Sequence, residues 1–331
     1  MKKIVLIGGG TGTSILLAGL RAFPAHITVV VSPADDGGST GVLRRELGVM
    51  PAGDIRQALV ALSRGNAALR DFFSYRFDRG VLSGHTAGNI ILAALEKTTG
   101  DIQEAIALAG AMLGVRGEIL PAALKPATLS ATYADGRIVA GEHYIDEPLH
   151  PVAAPITALE LSPRLAANPR VLEAIKRADA VIFGPGDLYT SILPNLLPRG
   201  IVRAIRASKA VKIVITNIMT RPGQTDGFCA SDFVRVIGEY LSRGGARCLP
   251  DIALINTKKP AARLLLRSQK QGATFVEPDS DVIRAMGVIP VAADMLSSRL
   301  YRRVPGDGLT RSMLRHDSRK TAARIRALLS A

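Results

Sequence analysis

Residues 2–9, KKIVLIGG, hold an unbroken apolar run that stops on glycine. A strand with one wet face alternates apolar and polar residues. A run without alternation is therefore a strand buried on both faces. This reading constrains the fold more than any other, because strands covered on both sides belong to parallel sheets with helices above and below. The pattern recurs. TSILLAGLRAF has helical spacing, and AHITVVVS is a second buried strand. TGVLRRELG, GDIRQALVALS, GNIILAALEKTTG and DIQEAIALAGAMLG read as helices. ADAVIFGPG, VKIVITN, DIALINT and ATFVEP read as strands, and Ser231 is placed to cap DFVRVIGEYLS. LSATYADGRIVAGEHYI, two alternating runs around Ala-Asp-Gly-Arg, signals a hairpin. The expected fold is α/β: a doubly wound, mainly parallel sheet with helices on both faces. One unit over 1–331 is expected, with a β-hairpin insertion at about 115–150 and a basic helix at about 312–330.

Charge narrows the ligand class. Lys plus Arg number 42 and Asp plus Glu 28, a net charge of +14. Such an excess suits an anionic partner. Aromatic residues are only 4% and Trp is absent, which argues against stacking platforms for nucleic acid. No run approaches the roughly 18 apolar residues that span a membrane. The first apolar run ends at Ile7, too short for the core of a signal peptide. Cys229 and Cys248 are the only cysteines and make neither a disulfide framework nor a CxxC site. A cytoplasmic protein that binds a small phosphorylated molecule, and neither nucleic acid nor membrane, is the expectation. Assembly into a homo-oligomer is left open.

Ligands of open parallel sheets sit beyond the carboxyl ends of the strands, and four loops fall there. GGGTGTS offers Gly9, Gly10, Thr11 and Gly12 between a strand and a helix, where backbone N–H groups meet phosphate. No Lys follows, so it is not a Walker loop, and Thr13 breaks the dinucleotide fingerprint. SPADDGGSTG puts Asp35 and Asp36 before a nest formed by Gly38 and Ser39. Two adjacent acids fit a metal site for Mg²⁺ joining carboxylates to phosphate; one acid on a ribose hydroxyl is the metal-free alternative. PAGDIRQAL supplies Asp54 as an N-cap and Arg56 as a phosphate fork, and SGHTAGN adds His85, read as structural, and Asn89. FGPGDLYTS supplies Gly184, Gly186, Tyr189 and Ser191, and Asn217 ends a strand with an amide able to read a base or sugar edge. GxSxG and HExxH are absent, so a ligand with phosphates is favoured over hydrolysis through Ser or Cys.

IGGGTGTSILLAGLR, ADDGGSTGVLRRELG, PAGDIRQALVALS, SGHTAGNIILA, FGPGDLYTSILPNLL and TNIMTRPGQTDGFCASD resemble, in order, the phospholactate transferase-like (CofD-like) family. They look most like its gluconeogenesis-factor branch, the YvcK group. The resemblance implies a Rossmann-like fold with a nucleotide-binding crevice. It implies either a regulator of carbon use and cell shape that binds UDP-N-acetylglucosamine, or a Mg²⁺-dependent transferase moving a phospholactyl-type group from a nucleotide diphosphate donor. Arg315, in MLRHDSRK, matches a basic position of the branch, and its alternative role is a solvated helix face. RLLLRSQKQGATF lacks a tyrosine that relatives often place near the sugar nucleotide.

Overall fold

The computed structural model describes residues 1–148, 154–301 and 312–330. Its strands are β1 (Lys2–Ile7), β2 (Ala25–Val31), β3 (Glu118–Pro121), β4 (Thr128–Tyr133), β5 (Ile138–Ala140), β6 (Ile156–Ser162), β7 (Ala180–Phe183), β8 (Val211–Ile215), β9 (Ile252–Asn256) and β10 (Ile289–Ala293). Seven of them form one sheet in the order β10-β9-β8-β7-β1-β2-β3, and each neighbouring pair is parallel. The other three form a small antiparallel sheet, β5-β4-β6. The chain thus has the expected α/β fold.

The unbroken apolar runs fill two cores, one on each face of the large sheet. In β1, Val5 and Ile7 enter one core and Ile4 and Leu6 the other. In β7, Val181 and Phe183 divide from Ala180 and Ile182 in the same way. Each such Ile, Leu or Val is worth about 1.5–3 kcal/mol relative to exposure. The helices Gly10–Leu20, Gly53–Leu62 and Ser318–Ser330 cover one face. Helices Pro169–Arg177 and Ala230–Ser242, with the inner residues Leu129, Ala131, Leu159 and Leu161 of the small sheet, cover the other.

Strand order locates the crevice. From β1 the chain moves outward through β2 to β3; from β7, on the other side of β1, it moves outward through β8 and β9 to β10. The loops after β1 and β7 therefore diverge to opposite faces, and the gap between them is the topological switch point.

Four local expectations are corrected. ATFVEP is not a strand of the sheet: Phe275 makes a single bridge to Met219, and the edge strand is β10, whose apolar run is broken by Pro290. Within 115–150, Glu118–Pro121 joins the parallel sheet, while β6 completes the small one beyond it. The basic helix begins at Ser318, and Cys229, not Ser231, caps Ala230–Ser242. Ser231 hydrogen-bonds Asp279 instead.

Candidate functional site

At the switch point the two glycine loops touch. Ile7 and Phe183 are paired across β1 and β7, and Gly184 N donates to Ile7 O at 3.0 Å. The Thr13 hydroxyl donates to Pro185 O at 3.1 Å. A Cβ on Gly12 would stand 2.7 Å from that same oxygen, so only glycine lets the helix start come this close. After Pro185 the chain makes a wide turn in which both Ser191 N and Ile192 N donate to Asp187 O. Above these loops lies a cavity of about 600 Å³. Gly9, Gly10, Thr11, Gly12, Asp35, Asp54, Gly186, Ser191, Asn217 and Arg315 line it, ten residues that the sequence reading singled out.

The carboxylates are arranged differently from the expectation. Asp54 is not an N-cap of its own helix; it lies in the first turn of Gly53–Leu62 and accepts a hydrogen bond from Gly10 N at 2.7 Å. It thereby occupies the free N–H of the neighbouring helix start, the place an anion would take. Gly9 permits this, since a Cβ there would collide with the Asp54 carboxylate. Asp35 points toward the cavity and accepts from Gly37 N at 3.0 Å. Burial first, and the Asp54 charge second, push its carboxyl up to about 7. Glu142, from the short helix Glu142–Asp146, is held well above the usual carboxylate range by burial and then by Asp35. Asp36 turns away and accepts from His143 N at 2.8 Å, so it anchors that helix and does not line the cavity.

Ser39, Arg56 and Asn89 also lie off the cavity, linked to one another. Arg56 Nε donates to Asn89 Oδ1 at 2.9 Å, Asn89 Nδ2 to the Ser39 hydroxyl at 3.3 Å, and that hydroxyl meets His85 Nδ1 at 2.9 Å. The three are buried and fix the loop bearing Asp35 from below. A fully satisfied buried network of this kind specifies one packing. Tyr189 is buried in the core, because the wide turn rotates it inward and leaves Thr190 and Ser191 on the cavity wall. Gly184 packs behind the loop and Gly38 is exposed; neither lines the cavity.

The far wall holds what the sequence reading passed over. Arg221 donates to Asp146 Oδ2 at 2.7 Å and to Asp146 O at 3.0 Å, and Gln224 Nε2 donates to Asp146 Oδ1. Despite this pairing the Asp146 carboxyl is pushed up to about 6, because burial and the nearby Asp187 outweigh Arg221. Glu142 and Asp146, four apart in GEHYID, share one helix face, a spacing the sequence did display. Arg315 is not on the basic helix. It precedes it, pairs through its backbone with Ser297, and lays its guanidinium over the Tyr301 ring at 3.7 Å. His316 follows, buried on the cavity wall.

Among the described residues, seven carboxylates line the cavity against two arginines, although the chain as a whole is strongly basic. No three His, Cys, Asp or Glu side chains among them are arranged to hold a metal alone. The donor set suits a hard cation completed by ligand oxygens and water, the usual manner of Mg²⁺ at a phosphate.

Comparison with known proteins agrees with the architecture. The family model described as 2-phospho-L-lactate transferase CofD matches residues 4–296. A gluconeogenesis factor from Halalkalibacterium halodurans is 42% identical over 87% of this chain and 87% of its own length. The gluconeogenesis factor of Bacillus subtilis is 38% identical over 99% of this chain and 98% of its own. A crystal structure of a UPF0052 family member from Bacillus halodurans superposes with a TM-score of 0.88 at 38% identity, covering 98% of this chain and 99% of that one. With a parallel sheet opened at β1 and β7, and this agreement along almost its full length, the chain belongs to the CofD family, among the relatives named gluconeogenesis factors.

Proposed function

We propose that this protein binds a nucleotide diphosphate, in the form of a nucleotide sugar, together with a divalent cation, and acts in the cytoplasm as a gluconeogenesis factor regulating carbon use and cell shape. One observation carries the binding reading: the glycine loops after β1 and β7 meet over a single cavity whose near wall is Asp35, Asp54 and Glu142. Gly10 N is taken by Asp54, so phosphate oxygens are left the other backbone N–H groups of this helix start. The clustered carboxylates repel a bare diphosphate, and a cation between them reverses that repulsion. Asp35, on the cavity wall, is the residue that would hold Mg²⁺ together with ligand oxygens and water; Asp36, committed to His143 N, does not line the cavity. UDP-N-acetylglucosamine is the nucleotide sugar that the family resemblance suggests. The regulatory part of the reading rests on relatives named gluconeogenesis factors.

A second reading has its own support. A carboxyl titrating at about 7 inside the cavity suits a general base, which a Mg²⁺-dependent phospholactyl-type transferase would use on its acceptor.

Calorimetry with UDP-N-acetylglucosamine, guanosine diphosphate and NAD, each with and without Mg²⁺, tests the proposal. Binding that needs Mg²⁺ and weakens at least tenfold in Asp35→Asn is the expected result. Equal binding by the two proteins with and without metal removes the cation from the reading. Transfer of a phospholactyl-type group from a nucleotide diphosphate donor to an added acceptor favours the transferase.

A further inference from the structure

His316 is a cavity side chain whose polar atoms the fold does not fully use. It is 8% exposed, it lines the cavity, and its Nε2 has no hydrogen-bond partner. The Thr216 backbone lies beside the ring and only partly offsets the effect of burial on it. A neutral ring with its proton on Nδ1 presents Nε2 as an acceptor, and Nε2 has no partner in the fold. Burial also depresses the ring's proton affinity, to a pKa of about 4, so it stays neutral at physiological pH. A buried polar atom without a partner is costly, and persistent instances mark a role. Asn217 stands one residue beyond Thr216 on the same wall, and its amide makes no hydrogen bond among the described residues. Asp35, Asp54 and Glu142 line the cavity by the glycine loops, while Asn217 and His316 share the other wall with Arg221 and Arg315.

Resting on the nucleotide-diphosphate reading, we propose that His316 and Asn217 form a neutral specificity subsite that takes an N–H beside a carbonyl. His316 Nε2 accepts from the N–H, and the Asn217 amide donates to the carbonyl. A keto nucleobase such as uracil or guanine presents this edge; cytosine and adenine do not. The acetamido group of a sugar presents the same pair of atoms and is the other source.

The test is calorimetry with Mg²⁺ and UDP, CDP, UDP-glucose, UDP-N-acetylglucosamine or inorganic pyrophosphate, on the wild-type chain, His316→Leu and His316→Gln. The expected result is a preference of about tenfold for UDP over CDP, lost in His316→Leu and partly restored in His316→Gln, with pyrophosphate binding unchanged. If instead UDP and CDP bind alike but UDP-N-acetylglucosamine outcompetes UDP-glucose, and that preference vanishes in His316→Leu, the sugar amide is the source. No preference in the wild type, or a preference that survives in folded His316→Leu, overturns the subsite. If the wild type binds none of the nucleotides, the nucleotide reading falls with it. Nitrogen NMR on the wild type guards against a variant that does not fold: Nε2 must shift when UDP or UDP-N-acetylglucosamine is added, and an unmoved resonance in both titrations overturns the assignment.

Discussion

At Gly12 the space left for a side chain is taken by Pro185 O, which holds the Thr13 hydroxyl and thereby clamps the β1 loop to the β7 loop. Gly12→Ala should push the loops apart. We expect it to destabilise the chain by about 1–3 kcal/mol, the range for overpacking a tight contact, and to weaken nucleotide binding as well. Denaturant unfolding and calorimetry on the same sample check both, and an unshifted midpoint would show that the loops are not clamped. Arg315 is a different residue-scale case. It lies over Tyr301 on the cavity wall and contributes little to the core. Arg315→Ala should therefore leave the melting temperature nearly unchanged. It should weaken diphosphate binding by about tenfold or more, the loss of one charge-assisted hydrogen bond. Unchanged affinity in the folded variant would return Arg315 to the role of a surface cation.

At the scale of elements, the short helix Glu142–Asp146 decides the shape of the acidic wall. It is too short to be stable alone and is held from outside at both ends. Asp36 receives His143 N at its start, and Arg221 and Gln224 hold Asp146 at its end. Removing Arg221 leaves the Asp146 carboxylate buried without its cation. Arg221→Ala should cost about 2–3 kcal/mol, less than a fully enclosed ion pair because both side chains retain some exposure. Urea unfolding measures this, and a loss under about 0.5 kcal/mol would place the pair among surface bridges of little worth. Limited proteolysis near residue 142 should also accelerate, since the helix loses its C-terminal hold.

For the molecule as a whole, the acidic cavity sets how stability follows pH. Asp35 titrates at about 7 in the folded chain against an ordinary value of 3.8. Between these values the folded chain keeps a proton that the unfolded chain has released. Stability is therefore lost progressively as pH rises from about 4 to about 7, and it flattens above. Glu142 acts in the same direction. Asp35→Asn removes this contribution, so the variant should gain stability over wild type as pH rises through that window and keep the gain at pH 8. Thermal melts from pH 4 to 8 test this; parallel curves for the two proteins would show that Asp35 is not the responsible group. Mg²⁺ with a nucleotide diphosphate should recover the lost stability of the wild type at pH 8 and do little for the variant, through selective binding to the folded state.

The sequence by itself determined the sheet, because β1, β2, β7, β8 and β9 are buried on both faces and so appear as unbroken apolar runs. It determined the phosphate-type loops for a similar reason. A close backbone approach requires glycine, and Gly9 and Gly12 are visible as such in GGGTGTS. β10 was illegible because Pro290 stands inside its apolar run, and proline within a run speaks against a strand unless it lies at an edge, as β10 does. Tertiary structure alone decided which acids face the cavity. Asp35 and Asp36 are neighbours in sequence but point to different partners, while Asp54 arrives from a separate helix and Glu142 and Asp146 from the small sheet's connection. His316 was hidden likewise. Its significance is an unpaired nitrogen opposite the end of β8, a hundred residues earlier in the chain, and local sequence carries no record of a bond that the fold leaves unmade.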